Sequence, residues 1–238
     1  MDTRQLRELE LLAITKLYGL DASGRKVESE MQKTQSPSAP PVQVSSIDVS
    51  SLDWTSLRST VASCTACGLC KQRKQAVFGV GAESGPWLFI GEGPGADEDE
   101  QGEPFVGQAG KLLDSMMNAL GIKRGREAYI ANVVKCRPPG NRTPTPEEAA
   151  ACAPFLDRQV DLIAPKIIVA LGKTAAMRLL QTEASLGSLR GKLHAYRGTP
   201  LVVTYHPAYL LRNLPDKAKA WEDLLFARRT LRAAQRSD

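Results

Sequence analysis

Four short apolar runs mark the second half of the chain: Trp87–Ile90, Tyr129–Val134, Lys166–Leu171 and Leu201–Tyr205. Runs of this length read as buried strands, and segments with helical spacing lie between and after them. Residues 109–120 show a 3.6-residue apolar period and stop at Gly121. Residues 146–163 start with Thr145 as N-cap, Pro146 at the first helical position and Glu148 completing a capping box. Further helices are predicted over 174–181 and 217–234, the last ending in basic residues. Strands that alternate with helices predict a parallel sheet covered on both faces.

Before residue 52 the pattern differs. Leu6, Leu9, Ala13, Leu17 and Leu20 predict an amphipathic helix over 5–20, followed by a flexible linker over 23–51, rich in Ser, Pro and Gln. The domain boundary is therefore set between residues 51 and 52. The predicted helix is read as a weakly packed cap in preference to an element that docks a protein partner. Charge divides the same way: residues 1–51 hold 6 Lys/Arg against 7 Asp/Glu, and residues 52–238 hold 25 against 19. The basic excess belongs to the second part and suits either a polyanion partner or a solvated surface. No apolar run approaches the ~20 residues of a membrane span, so no membrane partner is expected. The charged start lacks a signal-peptide pattern, which predicts a cytoplasmic chain; a monomer is expected.

Parallel sheets hold ligands beyond the carboxyl ends of their strands. After the first predicted strand comes Gly91-Glu92-Gly93-Pro94-Gly95, then an acidic run read as a solvated loop. This formally matches a dinucleotide fingerprint, but Pro94 removes an amide donor and the acids would repel a pyrophosphate. Phe105, between turn residues, packs in the core or stacks on a planar ligand. Asn132 lies near the end of the second strand. After the fourth, His206 either stabilises a developing oxyanion or is a hydrogen-bonded structural histidine. His194 is read as structural, and Gly172-Lys173-Thr174 as a helix start, because a P-loop would need glycine at Ile167. Cys64-x-x-Cys67 is a metal-ligand spacing, Cys70 repeats it, and Cys136 and Cys152 follow 16 residues apart. Four such thiolates suit zinc or an iron–sulfur cluster. Lys123, Arg124, Arg126, Lys135, Arg137 and Arg142 face one acid, Glu127, and predict a basic patch for a phosphate backbone.

Four segments, taken together, resemble the family 4 uracil-DNA glycosylases. They are Glu92-Gly93-Pro94-Gly95 with its acidic run, Gly102-x-Pro104-Phe105-Val106-Gly107, Asn132-x-x-Lys135-Cys136-Arg137-Pro138-Pro139 and His206-Pro207-Ala208-Tyr209-Leu210-Leu211-Arg212. The likeness runs from about residue 55 to the end. It implies an α/β fold of three α/β/α layers around a central four-stranded parallel sheet, and a [4Fe–4S] cluster on Cys64, Cys67, Cys136 and Cys152, with Cys70 spare. It further implies hydrolysis of the N-glycosidic bond of uracil in DNA, which starts base-excision repair on a flipped nucleotide. Phe105 would stack on uracil, Asn132 would read its edge, and Gly93 would let the backbone approach. His206 would stabilise the uracil oxygen, while Glu92 or Glu98 would handle water and the sugar cation. Arg137, Arg142 and Arg212 would face DNA, and Leu210 or Leu211 would fill the gap left by the base. A covalently trapping relative carries Gln in place of Gly93, so Gly93 argues for turnover. The remaining alternatives are an iron–sulfur DNA-binding module and a metal-dependent nuclease using Glu92, Asp97 and Glu98.

Overall fold

The computed structural model describes residues 48–235. The helix expected over 5–20 and most of the linker over 23–51 lie outside that range. In chain order the described elements are α1 (Trp54–Ser63), β1 (Val80–Gly81), β2 (Trp87–Gly91), α2 (Ala96–Gln101), α3 (Gln108–Ala119), β3 (Ala128–Asn132), α4 (Pro146–Ile163), β4 (Ile167–Leu171), α5 (Lys173–Leu180), α6 (Leu186–Leu189), β5 (Leu193–Tyr196), β6 (Thr199–Thr204), α7 (Pro207–Leu210) and α8 (Asp216–Ala234). Short 3-10 turns occupy Gly68–Lys71 and Pro139–Asn141.

One six-stranded sheet has the order β1-β3-β2-β4-β6-β5. The inner four strands, β3, β2, β4 and β6, are parallel, as expected. The four-stranded expectation needs correction at both edges, where β1 pairs antiparallel with β3 and β5 antiparallel with β6. Both additions are edge strands: β1 has only two residues, and β5 leaves Leu193 exposed. Neither carries the apolar run that marks a buried strand. The turn from β5 to β6 places Arg197 and Gly198 at positive φ (48° and 78°), the conformation a two-residue hairpin requires.

Strand alternation sorts the core into two halves. Leu88, Ile90, Tyr129 and Ala131 point to one face with buried residues of α1, α4 and α5. Trp87, Phe89, Ala128 and Ile130 point to the other, against α3 and α8. The three layers are thus helices, sheet and helices. No helix among the described residues is long and apolar enough to cross a membrane.

The acidic run after β2 is a helix, not a solvated loop. Asp97, Glu98 and Asp99 fill the first turn of α2, where carboxylates complement the helix dipole. Asp99 is buried and accepts the Lys74 N–H (3.0 Å). The predicted capping box of α4 is present: Thr145 Oγ1 accepts the Glu148 N–H (3.2 Å), and Glu148 Oε2 accepts the Thr145 N–H (2.8 Å).

Candidate active site

The carboxyl ends of the parallel strands open into a cleft of about 410 Å³. Glu92, Gly93, Glu98, Phe105, Asn132, Arg142, His206 and Arg212 all line it, so eight residues singled out from sequence converge. Pairing of β2 with β3 sets Gly91 beside Asn132, and the ladder continues as the Val133 and Val134 amides donate to Gly91 and Glu92 carbonyls (3.0 and 3.2 Å). A side chain at Gly91 would collide with Asn132 Oδ1 and come within 2.6 Å of Phe105 Cζ. The missing Cβ therefore lets the amide and the ring share the cleft floor. Asn132 is 2% exposed, and its Oδ1 is buried with no hydrogen-bond partner. An orphaned buried acceptor costs about 1–3 kcal/mol, so its position asks for a donor from outside the fold.

Phe105 sits at φ 57°, unusual for a non-glycine residue, and is buried. Two charged side chains hold it there. Glu98 Oε1 accepts the Val106 and Gly107 amides (3.0 and 3.2 Å), and its Oε2 accepts the Gly95 amide (3.1 Å). From the other side, Arg124 donates to the carbonyls of Pro104 and Phe105 (both 2.9 Å) while its Nε donates to Asp114 (2.9 Å). The sequence groups Arg124 with cations facing phosphate. Its partners lie 10 to 20 residues away, and no local motif signals them.

His206 is the N-cap of α7. Its Nδ1 accepts the Ala208 N–H (3.1 Å), which leaves the ring proton on Nε2. Burial lowers its pKa to about 4, with Arg212 adding to the effect and nearby Glu98 opposing it. The imidazole is therefore neutral near pH 7, with Nε2–H as its donor. The rings of His206 and Phe105 stack with centroids 5.6 Å apart and planes 29° apart. His194 is structural as expected, with Nε2 2.8 Å from the Leu189 carbonyl.

Glu92 differs from Glu98. It lines the cleft, and among the described residues its carboxylate makes no hydrogen bond or ion pair. A Cβ on Gly93 would approach Val134 Cγ2 to 2.8 Å, so packing against the second strand end already demands a small residue there.

Two expectations change at the rim. Leu210 is 1% exposed and packed inside the molecule, so it cannot enter a base stack; its place in α7 turns it inward. Leu211 is 42% exposed. The basic patch breaks up. Lys135 is buried with Nζ donating to the Asn132 carbonyl (2.9 Å) and to Gln159 Oε1 (2.6 Å), and Arg126 pairs with Glu127. Burial pulls the Lys135 pKa down to about 8. Arg142 grips Glu148 with two hydrogen bonds (2.6 and 2.8 Å), and Arg137 donates to Asn141 (2.7 Å). Arg142 stays at the cleft, while Arg137, Leu210 and Leu211 do not line it.

All five cysteines line a second, small cavity between the segment after α1, the loop after β3, and α4. Three sulfurs receive N–H donors: Cys64 from Ala66 (3.5 Å), Cys136 from Arg73 (2.8 Å) and Cys152 from Lys135 (3.3 Å). Among the described residues Cys70 receives none. Burial pushes the Cys152 thiol up to about 12. Among the described residues, no group of three or more His, Cys, Asp or Glu is arranged to hold a single metal ion.

A cleft at the carboxyl edge of a parallel sheet, with an unsatisfied amide, a stacked Phe/His pair and a free carboxylate, defines a protein that binds and acts on a flat polar ring. The chain belongs to the uracil-DNA glycosylase superfamily, whose family model matches residues 78–225. It is 48% identical over 161 residues to the type-4 uracil-DNA glycosylase of Thermotoga maritima, covering 67% of this chain and 83% of that protein. The type-4 enzyme of Pyrobaculum aerophilum is 41% identical over 181 residues (73% and 92%), and that of Sulfurisphaera tokodaii 43% over 176 (70% and 79%).

Proposed function

We propose that the protein is a uracil-DNA glycosylase that releases uracil from DNA by hydrolysis and so starts base-excision repair. The observation that carries this reading is the buried, unpartnered Oδ1 of Asn132. Uracil offers N3–H to that oxygen and O4 to the amide nitrogen. Cytosine presents the opposite pattern, an N3 acceptor and an N4 donor, and would leave the amide mispaired.

The chemistry follows from the other side chains. A base must leave the duplex stack to reach the cleft. Phe105 then covers one face of its ring. Breaking the bond between C1′ of deoxyribose and N1 of uracil sends the electron pair into the base, and charge builds on its oxygens. The Nε2–H of neutral His206 donates to that charge without first losing a proton of its own. The Glu92 carboxylate stabilises the sugar cation and takes a proton from the water that adds to C1′. Glu98 is a positioning residue, because both its oxygens are engaged by backbone amides. The same engagement weakens the nuclease reading, which needs Glu98 free to bind a metal.

Cys64, Cys67, Cys136 and Cys152 would hold a [4Fe–4S] cluster. The fit rests on the N–H donors to Cys64, Cys136 and Cys152, which favour anionic sulfur, and on buried thiols that need a positive centre to ionise. Bound there, such a group would act structurally, because Cys64 and Cys67 lie in the segment after α1, and Cys136 in the loop that follows Asn132.

The test is an oligonucleotide with one uracil, incubated with the protein in EDTA and then treated with alkali. Strand cleavage only after alkali supports the reading. Cleavage without alkali, or cleavage that EDTA abolishes, contradicts it. Uracil-containing DNA retained on the protein in a denaturing gel would instead mean covalent trapping.

A further inference from the structure

Beside the cleft stands a column of flat side chains that the mechanism above does not use. Tyr205 and Tyr209 stack with centroids 5.3 Å apart and planes 9° apart. Behind them, the Arg190 guanidinium lies over Tyr205, 4.4 Å from the ring centroid. Arg190 is itself anchored to α8 through Asp223 Oδ2 and the Lys219 carbonyl (both 2.7 Å). At the other end, the Tyr209 hydroxyl donates to Asp216 Oδ2 (2.7 Å). Tyr209 is thus held both through its ring face and through its hydroxyl.

Tyr209 is nevertheless 36% exposed, and it lines the cleft. It follows His206 by three residues, and both line the cleft. An ordered ring at the mouth of a base-binding cleft suits a second base, because base–aromatic stacking is sequence-tolerant and depends on a pre-set π face.

We propose that Tyr209 is a stacking platform for a nucleobase next to the one held in the cleft, with Tyr205 and Arg190 as its backing. The inference rests on the proposed uracil excision and adds to it a subsite for the flanking nucleotide. Leu210, one residue on, is buried and cannot serve this purpose. Tyr209 would hold the strand in position by covering a neighbouring base while the uridine is turned out.

The test uses full-length protein and single-uracil oligonucleotides carrying 2-aminopurine immediately 5′ or 3′ of the uracil. Stacking on a tyrosine quenches this fluorophore. Binding to wild type is expected to quench it on one side of the uracil. Tyr209→Ala is expected to lose that quench and to raise KM for uracil release by about 5- to 150-fold, the range one stacked base accounts for. Tyr209→Phe keeps the ring and is expected to restore the quench. Tyr209→Ala with an unchanged quench, or a KM within twofold of wild type, overturns the proposal. Loss of the quench in both variants also overturns it, because the effect would then belong to the bond with Asp216. Failure of the wild type to release uracil would remove the function on which the proposal rests, a result distinct from either.

Discussion

At the scale of the residue, the cleft works by leaving some groups unpaired and pairing others fully. Asn132 Oδ1 and the Glu92 carboxylate are left for a ligand, while Glu98 and Arg124 are used up in shaping the loop between them. His206 belongs to both sets, since its Nδ1 caps α7 and its Nε2–H would serve the proposed chemistry. Its lowered pKa has a consequence for stability. The unfolded chain takes up this proton near pH 6.5, and the folded chain near 4. Stability due to neutral His206 is therefore fully present above about pH 6.5 and is lost as pH falls towards 4. Relative to His206→Gln, wild type is expected to lose at most about 3 kcal/mol between pH 7 and pH 4, read from urea unfolding at each pH. A difference that stays constant with pH would contradict the neutral assignment. Arg124→Ala removes two charge-assisted bonds to the Phe105 loop. It is expected to lower stability by about 2 kcal/mol and the single-turnover rate by about tenfold, with Arg124→Lys recovering only part of the loss. Glu92, Asn132 and His206 were legible in the sequence because each sits in a short motif at a strand end, and Phe105 because it stands between turn residues. Arg124 was not, because its meaning lies in carbonyls 19 and 20 residues away. Lys135 misled for a related reason: a charge count cannot tell a buried ammonium from a solvated one.

At the scale of the element, close approach between backbones decides what the sequence must supply. The Phe105 carbonyl lies against Gly110 in α3, where a Cβ would collide with it. In an ordinary helix, replacing glycine by alanine stabilises by about 1 kcal/mol. Here the sign reverses: Gly110→Ala is expected to lower the melting temperature and to cut base release at least tenfold, because the loop carrying Phe105 must shift. A raised melting temperature with normal release would show that the contact does not position Phe105. The long buried elements were legible throughout, since strands β2, β3, β4 and β6 carry continuous apolar runs and α4 carries its capping box openly. Helix α2 was hidden by its composition, Ala-Asp-Glu-Asp-Glu-Gln, which reads as solvated unless the helix dipole and the buried acceptor role of Asp99 are known. Pro200 obscured the start of β6, because a proline has no amide for the ladder, yet it pairs with Ala195 at the edge.

At the scale of the whole molecule, the cysteine cavity and the cleft are joined through Lys135. Its amide donates to Cys152 Sγ, its ammonium to the carbonyl of Asn132, and Gln159 completes the link by accepting from that ammonium and donating to the Phe78 carbonyl (2.9 Å). A cluster bound by the cysteines would thus stiffen the strand end that carries the base-reading amide without touching the base. The fold supplies the rest: a parallel sheet brings distant motifs to one edge, and the loop before α3 and the start of α7 carry the aromatic walls. The central claim is that the Asn132 amide reads uracil. It is tested most directly by measuring single-turnover base release, in EDTA, from oligonucleotides carrying uracil, thymine or cytosine at one position, with wild type and Asn132→Ala side by side. The account predicts release of uracil but not cytosine by wild type, and a fall of about 100-fold in uracil release for Asn132→Ala, the loss of about two hydrogen bonds to the base. Equal uracil release by the two proteins would contradict it.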